Sequence, residues 1–489
     1  MAQLHKKNVK LLRRHIFEQG AGKILVVEPI TVVPEARDTS GTLPGVVRGK
    51  IWRIDKTPFT LRSRFGSRLS DAAPIFPLLQ EWFAAYRHEP ASTYNQHRLY
   101  ASVRSKYPVN IFVETTSQTW HIDSNERIAT VVAKRVVADP EDTCLRIHLA
   151  GCWTHLPDYY RLLRGALVDV ELGINLRHLL TALAVGGYRE VSVLSDPSKD
   201  EALLHRIGVR QASQWARPLT VVVQHGPLGL LPTDRMARQT VSPTWDSNDQ
   251  TLDTIRILDR DRTGDLSTIG VWSTSLALIG ENLLGQSTWL DVLMARTSGR
   301  MPLGLTGIKG RRRVIGAEAL KAIFEWTLTE SPQLLERHRG RLRITAALRG
   351  VEGHADGIYS VDRSAPRLIR EDIKVMDKLE SIYGYPTAPN NGCAVGKANL
   401  VLFFSTDVVA AAEQIGSEGW GSLQILSGWM THGACIGAAQ HRLYARPVRA
   451  FDETAAKEIL ELPDKEVPIL GVIIGAEGYR GLLMDVTVP

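Results

Sequence analysis

Apolar positions along the chain form two successive series of helical and extended patterns that recur in the same order. In the first series an apolar helical stretch ends at Glu81-Trp82, an aromatic strand Trp120-His-Ile-Asp123 turns at its aspartate, a small-residue-rich segment runs from Leu172 to Gly187, and Leu219-Thr-Val-Val-Val closes. In the second the counterparts are Glu325-Trp326, Tyr359-Ser-Val-Asp362, Ser427 to Ala439, and Val467-Pro-Ile-Leu-Gly-Val-Ile-Ile. Each series opens on paired arginines, Arg64-Phe-Gly-Ser-Arg68 and Arg296-Thr-Ser-Gly-Arg300. Leu172–Gly187 is the clearest helix, ended by glycines that suit a C-cap. Its counterpart is marked by Gly428, Gly433, Ala434, Gly437, Ala438 and Ala439. Helices so rich in small side chains are expected to pack backbone to backbone, as in the core of a dimer made covalent, with the site between the halves.

This spacing divides the chain into an N-terminal extension (1–55), a first repeat (56–232), a polar connector (233–284) and a second repeat (285–489). Within each repeat, helices flank strands joined by long crossovers, which predicts an α+β fold. The connector is dense in Asp, Thr, Ser and Arg and is expected to lie on the surface over a cleft. Inside it, Asp259-Arg-Asp-Arg-Thr-Gly-Asp265 imitates the start of a calcium loop, but Gly270 stands where the bidentate Glu belongs, so no metal is expected.

A 489-residue chain with 44% hydrophobic residues has material for full cores. Its apolar runs are too short for a membrane span, and the N-terminus lacks a secretory pattern, so a cytoplasmic location is expected. Cys144, Cys152, Cys393 and Cys435 never form Cys-x-x-Cys and read as packed thiols. The net charge of +7 favours acidic partners. It concentrates in a helical stretch with Lys6, Lys7, Lys10, Arg13 and Arg14, and in Lys309-Gly-Arg-Arg-Arg313. No nucleic-acid-binding pattern accompanies it, so an acidic peptide or a phosphate-bearing cofactor is expected instead.

Dinucleotide, phosphate-loop, zinc-protease and serine-hydrolase signatures are all missing. What remains is Arg296, Ser298 and Arg300, two guanidinium groups and a hydroxyl able to grip one phosphate. Preceded by the amphipathic segment Glu281–Met294, this Arg-x-Ser-x-Arg resembles the opening of the nitroreductase family, whose members hold the FMN phosphate there. The small-residue helix, the aspartate-led helix Asp452–Leu462 and the strand closing on Ile473-Ile-Gly475 resemble that family's final section. In the first repeat, Tyr159-Tyr-Arg-Leu-Leu-Arg-Gly-Ala-Leu-Val-Asp-Val-Glu171-Leu-Gly173 resembles the Lys-Tyr to Glu-x-Gly-His stretch of the SagB-type azoline dehydrogenases. The resemblance covers most of the chain through spaced patterns, and implies two tandem nitroreductase-like domains forming an intramolecular pseudodimer, plus the extension.

The departures are specific. The subfamily's lysine is Tyr159 here, with Tyr160 kept, and its histidine is Ile174. The second repeat loses the Lys-Tyr pair near Gln414 but keeps its phosphate motif, whereas Gly66 replaces the serine in the first. One composite FMN site is therefore expected, with Arg296, Ser298 and Arg300 on the phosphate. The resemblance implies oxidation of thiazoline or oxazoline rings in a ribosomally made, thiopeptide-like precursor. A cyclodehydratase complex, an acidic leader on the basic helix, and further homodimerisation belong to the same picture. Tyr160 is the expected base, with Tyr159 beside it; a phenol needs help at neutral pH, for which Arg161 or Arg164 is the expected source, and His155 is a second acid–base candidate. A nicotinamide-driven nitroreductase or enone reductase and a flavin-free peptide-binding scaffold are the alternatives.

Overall fold

The computed structural model describes residues 50–54, 72–89, 96–124, 127–134, 144–188, 190–194, 204–207, 209, 214–223, 228–236, 250–260, 270–273, 284, 287–300, 308–362, 365–383, 394–479 and 484–485. The basic N-terminal stretch, the motif Arg64–Arg68 and Cys393 lie outside these residues.

The first repeat is built on β1 (Lys50–Ile54), α1 (Ile75–Phe83), β2 (Ala85–His88), β3 (Gln96–Arg98), β4 (Val109–Glu114), β5 (Gln118–Asp123), β6 (Ile128–Lys134), β7 (Leu145–Gly151), α2 (Leu163–Val185), β8 (Glu190–Leu194), β9 (Leu219–Val223) and β10 (Leu230–Met236). After it come α3 (Gln250–Arg260) and β11 (Gly270–Ser273). The second repeat comprises α4 (Trp289–Ala295), β12 (Gly310–Arg311), α5 (Ala317–Leu328), β13 (Arg343–Leu348), β14 (Gly357–Val361), β15 (Pro366–Glu371), β16 (Leu400–Asp407), α6 (Gly416–Gln440), β17 (Tyr444–Val448), α7 (Glu453–Ile459), β18 (Glu466–Glu477) and β19 (Met484–Asp485).

The duplication is visible in the sheets. The first contains the order β6-β5-β4-β7-β9-β8, and the second β15-β14-β13-β16-β18-β17, six equivalent antiparallel strands in each. The first sheet is extended by β1 and β10 on one side and β11 on the other, the second by β12. A small sheet, β19-β2-β3, ties the end of the chain to the first repeat.

Period-two alternation assigns each sheet two faces. Leu400, Leu402 and Phe404 of β16 enter a core shared by both repeats, while Val401 and Phe403 enter a separate outer core. Likewise Ile111 and Val113 of β4 face the shared core and Phe112 an outer one. The helices α2 and α6 cross at the centre of the shared core, apolar on nearly every side because protein surrounds them. A Cβ on Gly173 would lie 1.9 Å from the Ile425 carbonyl oxygen, and one on Gly428 would lie 2.0 Å from that of Val170. The two contacts are related by one register: Gly173 matches Gly428 and Val170 matches Ile425. That is the isologous contact of a two-fold dimer, here within one chain.

The described part of the connector is built into the fold. Within α3, Ile255 and Leu258 are buried in the shared core, and β11 pairs with β8. Apolar residues three apart in an otherwise polar helix are enough to dock it. Asp259 is buried in α3, where its carboxylate accepts a hydrogen bond from the Arg217 backbone N–H. Cys144, Cys152 and Cys435 are free thiols, and no metal-ligating cluster occurs among the described residues. No described helix is long and apolar enough to cross a membrane.

Candidate functional site

The second repeat's arginine motif follows α4, which opens on a capping box between Thr288 and Asp291. Arg296 leaves that helix in an extended conformation, and Gly299 turns the segment with φ 79°, a conformation available to glycine at little cost. Strand β17 fixes the turn: the Ala445 N–H donates to the Thr297 carbonyl, and the Arg446 guanidinium donates to the carbonyls of Ser298 (2.8 Å) and Gly299 (3.3 Å).

Arg296 and Ser298 come together as the spacing predicts. The Arg296 side chain is buried, and its Nη1 donates to the Ser298 hydroxyl at 3.3 Å. Its Nη2 crosses to the first repeat and donates to the Arg98 carbonyl at 3.1 Å, and its Nε–H has no partner. Arg300 goes elsewhere: its guanidinium pairs with Glu477 at 3.2 Å, and Thr297 donates to the same carboxylate. Arg296 and Ser298 are thus in contact, while Arg300 is held by Glu477.

Arg98, on β3, stands beside them and was not singled out in the sequence. Its Nη1 donates to the Tyr100 hydroxyl at 3.0 Å, its guanidinium lies 4.4 Å from the Tyr107 ring centre, and its Nε–H also lacks a partner. Neither Arg98 nor Arg296 forms an ion pair with a carboxylate among the described residues. Burial pushes the Arg296 guanidinium below its ordinary pKa, as expected of a cation without an anion. No local sequence motif marks Arg98; only the meeting of β3 with the arginine turn reveals it.

Deeper, between α2 and α6, Arg177 donates to the carbonyls of Trp429 (3.0 Å) and Trp326 (2.8 Å). His178 and His432 stack edge to face at 5.3 Å. Burial lowers His178 to about 4, and His432, near Arg177 and Arg296 and without a partner at either ring nitrogen, lies well below the ordinary imidazole range. Both are neutral at physiological pH, leaving the positive charge on the arginines.

Tyr159 and Tyr160 sit in a single 3-10 turn, Asp158–Tyr160, ahead of α2; the Tyr159 side chain lies outside the described residues. Tyr160 is half-buried, and Arg104, from outside the expected pair Arg161 and Arg164, lies over its ring at 5.9 Å. Arg164 is buried and paired with Asp158 at 2.9 Å, while Arg161 is exposed. His155 packs against Trp215, and burial lowers it to about 4, so it is a poor acid at neutral pH.

Around the arginine turn, Arg296 and Arg98, from different repeats, each have an Nε–H without a partner, and the Ser298 hydroxyl lies beside Arg296, donors of the kind that suit a phosphate such as that of FMN. No protein-family model matches the chain, and no curated protein does. Among solved structures, one from Escherichia coli, of the microcin synthetase McbBCD complex with truncated pro-MccB17 bound, aligns over 34% of this chain and 66% of that one at 13% identity, TM-score 0.28. A provisionally named nitroreductase from Ralstonia eutropha aligns over 39% and 83% at 19% identity, TM-score 0.30. A provisionally named nitroreductase from Anabaena variabilis matches over 96% of this chain and 99% of that one, at 15% identity and TM-score 0.65. The chain therefore has the nitroreductase-like fold, α+β and in tandem, across nearly its whole length.

Proposed function

We propose that the chain is an FMN-dependent dehydrogenase that oxidises thiazoline or oxazoline rings of a ribosomally made peptide to the aromatic azoles. The observation that carries this is Arg296, a buried cation that pairs with no carboxylate among the described residues, keeps an Nε–H without a partner, and meets the backbone of Arg98 at the junction of the repeats. Buried charge of one sign is costly unless an anion completes it, and a cofactor phosphate does so. When bound, FMN supplies the acceptor for the hydride that the ring loses. Arg296, Arg98 and the Ser298 hydroxyl hold the phosphate, while Arg300 supports the turn through Glu477. Tyr160 takes the acidic ring proton, with Arg104 facing the developing phenolate. The substrate peptide comes from a partner of the cyclodehydratase type, which closes side chains into azolines.

The flavin-free scaffold is the second reading, favoured by one observation: Arg300, a member of the expected phosphate grip, is taken by Glu477. The visible spectrum of purified protein, followed by FMN titration, separates the two. A bound flavin supports the enzyme, and colourless protein that ignores added FMN supports the scaffold. With flavin bound, incubation with a thiazoline-bearing peptide under air is expected to give a product lighter by two hydrogens. No mass loss, with nicotinamide-dependent reduction of an enone instead, would overturn the azoline reading.

A further inference from the structure

Below Arg98 lies a short turn with an unusual backbone. Arg104, Ser105 and Tyr107 all have positive φ, 47°, 52° and 46°, conformations that side-chain-bearing residues rarely adopt. Such a cluster persists only where its surroundings over-determine it. The Tyr107 N–H donates to the Ser102 hydroxyl at 2.9 Å, the Arg98 N–H donates to the Tyr107 hydroxyl at 3.0 Å, and the Val103 N–H donates to Glu171 Oε1 at 2.6 Å. Only the last reaches across the fold, from the turn to the rigid central helix α2.

Glu171 is an unusual residue for that place. It is 2% exposed, two residues from the close contact at Gly173, and its Oε2 lacks a partner. In the register that matches Val170 with Ile425, its counterpart in the second repeat is Leu426, which is fully buried in the shared core. The second repeat thus shows that leucine fills this position of the fold, so packing alone does not call for a carboxyl in the first. Burial pushes the Glu171 carboxyl up to about 7, opposed by the Val103 N–H, the Ser102 hydroxyl and Arg98.

We propose that Glu171 is a positioning residue for the oxidation: by holding Val103 it fixes the turn 102–107, which presents Arg104 to Tyr160 at one end and Tyr107 to Arg98 at the other. The turn then joins the proton-accepting end of the site to its phosphate-holding end. The catalytic half of this proposal rests on the azoline-dehydrogenase reading; the holding of the turn does not.

Glu171→Leu installs the second repeat's residue and removes the acceptor, whereas Glu171→Gln keeps an oxygen for Val103. Two readouts are taken: tryptic cleavage at Arg104 and Lys106 in the native, flavin-free chain, and azoline oxidation at saturating FMN. Glu171→Leu is expected to be cleaved at least about tenfold faster and to lose at least about tenfold in kcat, with peptide KM little changed, as for a backbone N–H left without its acceptor. Glu171→Gln is expected to track the wild type in both. Wild-type cleavage of Glu171→Leu, or equal damage from Glu171→Gln, would overturn the positioning role. Faster cleavage of Glu171→Leu in a chain that oxidises no azoline would instead sink the functional reading and leave the holding of the turn standing.

Discussion

The two repeats share a backbone and differ in what they carry on it. Both place six strands in the same order, and both send a long helix through the shared core to meet its twin at a glycine. Yet α2 carries Glu171, Arg177 and His178, while the aligned stretch of α6 carries Leu426, His432 and Gly433. Conversely, the arginine turn of the second repeat reaches into the first, where Arg98 and the strained 102–107 turn await it. The difference teaches that symmetry constrains the contacts backbone must make, and leaves side chains at the junction to diverge. A homodimer repeats every residue twice; a tandem chain can give one half the phosphate turn and the other the tyrosines.

The largest effect is expected where the symmetry is tightest. Gly173→Ala and Gly428→Ala each drive a methyl into a carbonyl of the opposing helix, and each should cost about 3 kcal/mol, measured by thermal or denaturant unfolding. Equal losses would support the two-fold relation, and a large loss at one site alone would break it. Gly340→Ala, with nothing within 4 Å of its added carbon, should stay within about 0.5 kcal/mol.

The next effect lies on the asymmetric side of the comparison. Arg296→Ala should weaken FMN binding by about 1.5–3 kcal/mol in a fluorescence titration, as for a hydrogen bond to a charged group. Arg300→Ala should weaken it much less, because that guanidinium is held by Glu477. A reversed order would restore the simple Arg-x-Ser-x-Arg grip.

The remaining effect is a slope and not a step, because it is pH-dependent. The carboxyl of Glu171 is raised from 4.5 to about 7 in the folded chain, so its contribution to stability is complete below pH 4.5 and is lost as pH rises through about 7. The slope is at most about 1.4 kcal/mol per pH unit. Glu171→Gln should flatten that part of the stability profile; an unchanged profile would show that the carboxyl is not perturbed by burial.

Much of this fold was legible in the order of apolar segments, because strands and small-residue helices repeat a pattern that local physics enforces. Gly428 and its neighbours announced close helix packing before any contact was known. The docking of α3 was harder to see, since two buried residues, Ile255 and Leu258, sit among many polar ones. The site was half legible. Arg296 and Ser298 stand in one motif, but Arg98 is joined to them only by tertiary structure, and the diversion of Arg300 depends on Glu477, far along the chain. Arg161 and Arg164 are the sequence neighbours of Tyr160, whereas Arg104 reaches its ring from a different loop.

The central claim is one composite site built from both repeats, and FMN titration of the wild type, Arg98→Ala, Arg296→Ala and the double variant tests it most directly. The account predicts one flavin per chain, weaker binding in each single variant, and a double variant whose loss differs from the sum of the two, as neighbours on one ligand require. Two flavins per chain, or an Arg98→Ala variant that binds FMN as the wild type does, would contradict it.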